Sequence, residues 1–392
     1  MISRNQLRFG ADGTFTIMQV SDIQDINGLA PRTKELFVAA LEREQPDFVV
    51  FTGDQLKGYG LELLFANEAQ REQRIMRTIN ALAGPLAARD IPFTITFGNH
   101  DHDAPMDPLT QVNRWQLWPN CLTEHIEGMP GYANHAIPVL GSQAEAGASP
   151  ALLLYFLDTH KSTGWRYMPL APEQIDWYRE TRDEYAARNN NQCVPSMLFQ
   201  HVPIEELYEL YKIVPAKTPG SFEGFHNHKG AHYALDMDKV APGAFMGELP
   251  SSPDENTGLF GAALEKGEML GMFFGHDHNN GYHGDVRGIQ LGYAPAAGYA
   301  AYGPGRKRGV RMIRLNENHL AGFESYVLTD EQLLGDSKLG LRIKLADTQP
   351  PSWGEVGHRV RRLLPRLALV SGGIALGLAA LEIAKRAART GK

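Results

Sequence analysis

Five apolar runs along the chain have the length and the β-branched or aromatic content of buried β-strands. They are FTIMQV at 15–20, DFVVF at 47–51, FTITF at 93–97, SMLF at 196–199 and MLGMFF at 269–274. Polar residues follow each run, in the segments VSDIQD, FTGDQ, TFGNHDHD, LFQHVP and FFGHDH. Open α/β sheets place their binding and catalytic groups at the ends of strands. The pattern therefore predicts a sheet protein whose site is assembled at its strand ends.

Helical patterns separate the predicted strands. They run from Thr33 to Glu44, Leu61 to Arg89, Ala171 to Asn189 and Asn256 to Lys266. Strands that alternate with helices favour a layered α/β fold. No linker interrupts the motifs, so a single catalytic domain at residues 1–345 accommodates all of them.

The polar residues at the strand ends are of the types that bind divalent cations. Carboxylate and amide oxygens suit hard cations, and imidazole suits the borderline metals. The candidates are Asp22, Asp54, Asn99, His201, His276 and His278. A carboxylate such as Asp54 can bridge two ions about 3.5–4 Å apart, with one hydroxide held between them for in-line attack on phosphorus. The set predicts a two-metal phosphoesterase.

Each motif taken alone is weak, because Gly and Asp close strands and start turns for conformational reasons. The joint occurrence of all five, each after a buried-strand pattern, is what indicates a metal site.

The order of the motifs resembles that of the calcineurin-like metallophosphoesterases. The matching residues are Asp22, Gly53–Asp54, the GNHD segment at 98–101, His201 and the GHDH segment at 275–278. The resemblance extends over roughly residues 14–315. Within it, residues 256–303 are most similar to the branch that holds plant purple-acid-phosphatase-like proteins and the yeast Dcr2-type phosphatase. The resemblance to the family implies a four-layer α-β-β-α sandwich of two mixed sheets flanked by helices.

The resemblance also implies how the ligands divide between two divalent ions. One ion would be bound by Asp22, Asp54 and His278, and the other by Asp54, Asn99, His201 and His276. Asp54 would bridge the pair.

His100, in the GNHD segment, resembles the family's catalytic imidazole, which faces the substrate phosphate or the leaving oxygen. Asp101 would hold the tautomer and orientation of that imidazole. We expect the next two residues, His102 and Asp103, to be solvated parts of a loop.

One position departs from the family pattern, because Gln24 stands where the family has the histidine of Asp-x-His. The Gln24 amide oxygen would be a hard, neutral ligand that favours Mn, Mg or Fe(II) over Zn. Alternatively, Asp25 compensates, or the first ion binds weakly or not at all. Lys57 stands where purple acid phosphatases have a tyrosine ligand and cannot coordinate while protonated, so we expect no purple complex. The identity of the ions, Mn, Fe, Mg or Zn, stays open.

The motifs favour hydrolysis of phosphomonoesters, with His100 protonating the leaving oxygen or stabilising its charge. Phosphodiesters or nucleotides are the nearest alternative, because the same metal pair stabilises both transition states. A different class of function also stays open: a non-catalytic phosphate-binding module with a weakened first metal site, which the Gln24 replacement favours.

Composition agrees with an ordinary globular enzyme. Of 392 residues, 43% are hydrophobic and 21% are charged. The only cysteines, Cys121 and Cys193, lie in no paired spacing, which indicates a reducing compartment. The N-terminal segment has no apolar stretch of signal-peptide length. We therefore expect the protein to be cytoplasmic.

The C-terminal tail differs from the rest of the chain. A polar linker at 346–358 leads to residues 359–392, where basic clusters flank an apolar helical run. Eight Lys or Arg and one Glu give this tail a charge of +7, which leaves −14 for the remainder of a chain whose total is −7. Basic flanks are attracted to anionic lipid headgroups, so we expect the tail to associate with the inner face of a membrane.

Whether the tail spans a bilayer stays open. The apolar run from Leu367 to Leu381 would be about 22 Å long as a helix, short of a hydrocarbon core of about 30 Å. The alternative is an Ala- and Leu-rich helix that docks on the enzyme or dimerises. Nucleic acid is not an expected partner, because the catalytic portion is acidic. The sequence does not indicate an oligomeric state.

Overall fold

The computed structural model describes residues 6–59, 63, 65–145, 147–163, 166–335, 339–340, 343–344 and 347. The strands are β1 (Leu7–Arg8), β2 (Thr14–Val20), β3 (Phe48–Thr52), β4 (Phe93–Thr96), β5 (His135–Leu140), β6 (Leu152–Leu157), β7 (Ser196–Gln200), β8 (Tyr211–Val214), β9 (Phe222–Glu223), β10 (His232–Leu235), β11 (Met269–Phe274), β12 (His283–Val286), β13 (Ile289–Tyr293), β14 (Gly309–Asn316) and β15 (Glu324–Thr329). The α-helices are α1 (Pro31–Glu44), α2 (Glu68–Ala87), α3 (Asn99–Asp103), α4 (Pro108–Trp115), α5 (Pro172–Arg188), α6 (Leu259–Leu264) and α7 (Asp330–Leu334). Short 3-10 helices lie at Glu205–Leu210, His226–His228, Gly305–Lys307 and Leu320–Gly322.

Two large mixed sheets hold most of the strands. One has five strands in the order β15-β14-β2-β3-β4, in which β2, β3 and β4 are parallel neighbours. The other has seven strands in the order β1-β5-β6-β7-β11-β13-β12, in which β6, β7, β11 and β13 are parallel neighbours. A small antiparallel sheet has the order β8-β10-β9.

Three apolar clusters show how the two large sheets and the helices are layered. One cluster joins β2, β3 and β4 to α1, α2 and α4, with Phe51 and Trp115 among its fully buried members. A second lies between the two large sheets and includes Phe48, Phe156 and Phe199. A third joins the seven-stranded sheet to α5 and α6. Removal of this apolar surface from water is the main stabilising contribution to such a core.

The predicted strands are confirmed. FTIMQV becomes β2, DFVVF becomes β3, FTITF becomes β4, SMLF becomes β7 and MLGMFF becomes β11, each within about one residue of the predicted bounds. These strands are buried on both faces, which is why they read as continuous apolar runs rather than alternating ones. The layered α/β fold built on mixed sheets is likewise confirmed.

The predicted helices are confirmed in place but not always in length. The helix predicted from Leu61 to Arg89 begins at Glu68, because the Asn67 side chain accepts from the backbone N–H of Gln70 and caps it there. The prediction from Asn256 to Lys266 shrinks to Leu259–Leu264. The sequence analysis did not predict α3, α4, α7 or the small sheet.

The predicted linker at 346–358, apart from Asp347, and the predicted helix at 359–392 lie outside the described residues. Membrane association and cytoplasmic location therefore stay predictions. Among the helices that the structure describes, none combines the length and the apolarity that crossing a bilayer requires.

Candidate metal centre

The carboxyl ends of five parallel strands meet at one edge of the two large sheets. In the five-stranded sheet, Asp22 follows β2, Asp54 follows β3 and Asn99 follows β4. In the other sheet, His201 follows β7, and His276 and His278 follow β11. The predicted metal ligands are thus brought together by topology alone, because neighbouring parallel strands end at the same edge.

Hydrogen bonds between the sheets fix their alignment at this edge. His201 Nδ1 lies 2.9 Å from the carbonyl oxygen of Thr52. The backbone N–H of His276 donates to Asp22 Oδ2 at 2.9 Å, and Gln19 Nε2 donates to the carbonyl oxygen of Phe274 at 3.1 Å. Each of these bonds joins an element of one sheet to an element of the other.

Asp22 and Asp54 are the acidic centre of the site, and both are fully buried. Asp22 Oδ1 lies 3.2 Å from His278 Nε2. Asp54 Oδ1 accepts from the backbone N–H of His100 at 2.8 Å, and its Oδ2 lies 3.4 Å from His201 Nε2. One ligand atom each from Asp22, Asp54 and His278 lie within 4.8 Å of one another. These atoms are close enough together to hold a cation between them.

The backbone at the ligand positions is unusual. Asp22, Gln24, Asp54 and His276 have positive φ angles of 53°, 44°, 53° and 75°, which non-glycine residues adopt only at some cost in free energy. Such conformations persist where the surrounding structure holds them, and they cluster at functional sites. Gly98 permits the approach of the loops, because a Cβ there would collide with Asp54 Oδ1.

The imidazoles of His201 and His278 are oriented by their Nδ1 atoms. His278 Nδ1 lies 2.7 Å from the carbonyl oxygen of Tyr302, as His201 Nδ1 does from that of Thr52 at 2.9 Å. A carbonyl oxygen only accepts, so Nδ1 carries the proton and Nε2 is directed at the carboxylates. This arrangement is typical of histidines that bind metals.

Two buried oxygen atoms support the assignment further. Asp22 Oδ1 and Asn99 Oδ1 have no hydrogen-bond partner among the described residues. Burial of a polar atom without a partner is costly, and a cation would satisfy both oxygens. The grouping of Asp54, Asn99, His201 and His276 around one ion stays a prediction. The other group, Asp22, Asp54 and His278, has donor atoms close enough together to fit a divalent cation.

Gln24 lies inside the second of these ligand groups. Its Nε2 donates to Asp54 Oδ2 at 2.8 Å and lies 3.2 Å from His278 Nε2, while its Oε1 accepts from the Tyr59 hydroxyl at 3.1 Å. In this orientation the amide NH₂, rather than the predicted amide oxygen, faces the carboxylate.

Asp25 does not take over as a ligand in this arrangement. Its Oδ2 accepts from the backbone N–H of Ala30 at 2.9 Å, at the beginning of α1. Burial raises the pKa of Asp25 to about 6. The Asp25 carboxyl group thus accepts a hydrogen bond at the N-terminal end of α1.

The structure corrects the predicted role of Asp101. Both of its oxygens are engaged by backbone N–H groups: Oδ2 accepts from Asp54 at 2.6 Å and from Gly98 at 2.9 Å, and Oδ1 accepts from Leu56 at 2.8 Å. Asp101 therefore holds the loop that carries Asp54, instead of the His100 imidazole.

Asp103 is the carboxylate that approaches His100. The His100 Nδ1 and Asp103 Oδ2 atoms are 3.5 Å apart, and Lys161 Nζ lies 3.0 Å from Asp103 Oδ1. The Tyr59 ring lies 4.9 Å from the His100 ring, centroid to centroid. Burial opposes the charged imidazole, but the negative charges of Asp54 and Asp103 outweigh it and raise the pKa of His100. His100 keeps 30% of its side chain exposed, so it can face a ligand from solution.

His102, expected to be solvated, instead has only 8% of its side chain exposed. Its Nε2 lies 2.9 Å and 3.0 Å from the two oxygens of Asp158, which anchors α3 to the end of β6. The ring of Tyr302, a residue to which the sequence alone assigns no role, stacks on His278 with the ring centroids 4.0 Å apart. Its hydroxyl lies 3.2 Å from Glu248 Oε2. These residues form part of the wall around the ligand cluster.

Protons compete with cations at this site, so binding should depend on pH. Burial opposes a charge on His201, but Asp54 and Asp22 outweigh it and raise the pKa of His201 to about 10. Burial and the charge of His201 lower the pKa of His276 to about 3, so His276 is already neutral. A cation must displace the His201 proton. Between pH 6.5 and 8, we expect the affinity of metal-stripped protein for Mn²⁺ to rise about tenfold per pH unit.

Calorimetry in two buffers of different ionisation enthalpy would count the released protons, with about one per ion expected. A pH-independent affinity without proton release would contradict this description of His201.

Several known proteins are similar to this chain. The Arabidopsis thaliana protein named "Probable inactive purple acid phosphatase 29" is 26% identical over 348 residues, which cover 80% of each chain. The Saccharomyces cerevisiae protein named "Phosphatase DCR2" is 28% identical over 211 residues, covering 48% of this chain and 32% of that protein. A solved structure, a dimetal phosphatase from Danio rerio, is 14% identical and covers 80% of this chain and 98% of that one, with a TM-score of 0.47.

The predicted resemblance to the purple-acid-phosphatase-like and Dcr2-type branch is confirmed by these relatives. The sequence model of the calcineurin-like phosphoesterases matches residues 15–280, a span that contains every predicted ligand from Asp22 to His278. This chain therefore belongs to the calcineurin-like phosphoesterase family.

Proposed function

We propose that this chain is a metal-dependent phosphoesterase that hydrolyses phosphomonoesters. The observation that carries the proposal is the convergence of buried carboxylate and imidazole donor atoms, from Asp22, Asp54 and His278 with His201 beside them, next to the partly exposed His100. A ligand cluster of this composition next to a free acid–base group suits metal-assisted hydrolysis.

Divalent cations bound to such a site would stabilise the phosphoryl oxygens as Lewis acids and would make a bound water molecule more acidic. The residues of the chain provide the rest. Asp22 and Asp54 supply negative charge that attracts the cations, and the carbonyl oxygens of Thr52 and Tyr302 keep the Nε2 atoms of His201 and His278 directed inward. The donor atoms are thus oriented before any ligand binds. Such preorganisation is the main source of electrostatic catalysis.

His100 is the residue we assign to the leaving group. It lies beside the carboxylates without being one of the predicted ligands, and its backbone N–H is held by Asp54 Oδ1. Asp103 lies close to His100 Nδ1, which leaves Nε2 to donate a proton to the departing alkoxide oxygen. Tyr59 packs against the ring and restricts its motion.

Activity of reloaded protein tests the proposal. Protein stripped of metal and reloaded with Mn²⁺, Mg²⁺, Fe²⁺ or Zn²⁺ should hydrolyse an aryl phosphomonoester faster than an aryl phosphodiester. His100→Ala should lower kcat by about 10²–10⁴-fold, the usual contribution of a positioned acid, while metal binding stays intact. Asn99→Ala should instead weaken metal binding.

His319→Ala is the matched control, because His319 is exposed and lies outside the site. It should behave as the wild type does. Equal activity of the wild type, His100→Ala and Asn99→Ala would reject the assignment, and preference for the diester would favour the phosphodiesterase alternative.

A second candidate function has a specific observation in its favour. The Gln24 NH₂ group donates to Asp54, and the Arabidopsis relative carries the word "inactive" in its name. On this alternative the chain binds phosphate-bearing partners without turnover. Phosphate binding by calorimetry, combined with no hydrolysis under any metal, would support it over the phosphatase.

A further inference from the structure

The Gln24 side chain occupies one half of the ligand cluster through its amide nitrogen. Nε2 lies 2.8 Å from Asp54 Oδ2 and 3.2 Å from His278 Nε2. Asp54 and His278 are two of the three residues whose ligand atoms converge within 4.8 Å, and the third is Asp22. The amide nitrogen is therefore placed where ligand atoms converge.

The chemistry of the neighbours fixes this orientation. An ionised carboxylate only accepts hydrogen bonds, so Asp54 Oδ2 requires the NH₂ side of the amide. His278 Nδ1 carries its proton toward the Tyr302 carbonyl, so Nε2 presents a lone pair to the same NH₂ group. Both protons of the amide thus meet lone pairs that would otherwise bind a cation.

Tyr59 holds the other end of the amide. Its hydroxyl donates to Gln24 Oε1 at 3.1 Å, so the carbonyl that would have to face a cation already has a partner. The backbone N–H of Gln24 donates to the Asp54 carbonyl oxygen at 2.8 Å, which ties the residue to the Asp54 loop. With a side-chain exposure of only 2%, Gln24 has little room in which to turn.

The other half of the cluster is built differently. His276 Nδ1 lies 3.2 Å from His201 Nε2, and Asn99 Oδ1 has no hydrogen-bond partner among the described residues. A cation on that side does not displace the Gln24 amide, which bonds to Asp54, His278 and Tyr59. On the Gln24 side it must rotate a buried amide and break three hydrogen bonds.

We propose that the Gln24 amide nitrogen takes the place of a cation in the Asp22, Asp54 and His278 half of the site. The chain then binds one divalent ion firmly, through Asp54, Asn99, His201 and His276, and a second ion only weakly. Tyr59 acts as a positioning residue for the amide. This inference rests on the metal binding in the proposed function and concerns how many ions that function uses.

Metal stoichiometry provides the test, with Mn²⁺ as the probe. Wild-type protein dialysed against Mn²⁺ should retain one ion per chain and show the electron paramagnetic resonance spectrum of an isolated ion. Gln24→Glu has nearly the same shape and still accepts from Tyr59, but it replaces the NH₂ group by an oxygen. It should bind the second ion about 10- to 100-fold more tightly and show a spin-coupled pair.

Two further variants complete the design. Gln24→His introduces an imidazole at the same position and should also bind two ions. Gln332→Glu makes the same chemical change at an exposed position outside the site and should leave the stoichiometry at one. Circular dichroism would confirm that each variant is folded before its metal content is compared.

The outcomes separate the inference from the proposed function. Two tightly bound, spin-coupled ions in the wild type would overturn the inference and leave the phosphoesterase proposal standing. One ion in the wild type and still one in both Gln24 variants would also overturn it, because Gln24 would not be what limits binding. Absence of any bound ion in the wild type would overturn both.

Discussion

Replacement of Asp54 by asparagine is expected to lower kcat/KM for phosphoester hydrolysis by about a thousandfold or more. Asp54 is the residue on which both halves of the cluster depend, because its Oδ2 lies near both His201 and Gln24. The substitution removes one of the two carboxylate charges of the site, while the side chain keeps nearly the same shape. Cation binding contributes several kcal/mol to a charged transition state, and each 1.4 kcal/mol is about tenfold in rate.

The reason for so large an effect is electrostatic. Asp22 and Asp54 are fully buried, so their charges attract a cation with little screening by water. In Asp54→Asn the amide oxygen is needed to accept from the backbone N–H of His100, as Asp54 Oδ1 does at 2.8 Å, so the NH₂ group takes the place of Oδ2. Calorimetric titration with Mn²⁺ should therefore show the high-affinity binding disappear together with the activity.

Asp25→Asn is the matched control for this variant. Asp25 is also a buried carboxyl group, three residues after Asp22, but it accepts from the backbone N–H of Ala30 at the beginning of α1. Asparagine keeps an oxygen for that bond, so metal binding and activity should remain near wild-type values. Equal losses in Asp54→Asn and Asp25→Asn would mean that buried charge in general, rather than ligation by Asp54, supports the activity.

Asp101→Ala is expected to destabilise the fold by about 3 kcal/mol or more. Three buried backbone N–H groups, those of Asp54, Leu56 and Gly98, donate to its carboxylate and would lose their acceptor. A buried donor left without a partner costs about 1–3 kcal/mol. That loss is a large part of the roughly 5–15 kcal/mol by which domains are stable.

Urea unfolding of Asp101→Ala and Asp103→Ala would separate the roles of these two acidic residues. Asp103 lies on the same helix but is partly exposed, so its ion pairs with His100 and Lys161 should be worth less than about 1 kcal/mol. Asp103→Ala should accordingly affect kcat more than stability. The reverse ranking of the two free energies of unfolding would restore Asp101 as the partner of His100.

The strands and the ligand positions were both predictable, because the same apolar runs indicate the strands and the places where they end. A strand buried on both faces needs an uninterrupted apolar run, and the first polar residues after it mark the edge of the sheet. Asp22, Asp54, Asn99, His201 and His276 all follow such runs. The small sheet formed by β8, β9 and β10 lacks this signal, because its strands are only partly buried.

The partner of His100 was not predictable without the local helix. The family resemblance implied Asp101, but residues 99–103 form a short helix, in which positions three apart lie on the same face. Asp103 therefore approaches His100, while Asp101 accepts from the backbone N–H groups of Gly98, Asp54 and Leu56. The segment GNHDHD contains both candidates, since Asp101 follows His100 by one residue and Asp103 follows it by three. Only the backbone conformation determines which aspartate lies beside the imidazole.

The departure at Gln24 was visible in the sequence, whereas the orientation of its amide was not. Gln24 and Tyr59 are far apart along the chain, and the hydrogen bond between them depends on how the loops after β2 and β3 approach each other. A side-chain amide is both donor and acceptor, so its chemistry is determined by its neighbours.

We expect divalent cations held by Asp22, Asp54, Asn99 and the three histidines to drive phosphoester hydrolysis. The most direct measurement is the rate of aryl phosphate hydrolysis after chelation, followed as Mn²⁺ is added back to wild type and to Asp54→Asn. We predict that chelation abolishes the wild-type activity, that Mn²⁺ restores it, and that Asp54→Asn stays inactive throughout. Activity that survives chelation, or that returns equally in both proteins, would contradict the claim.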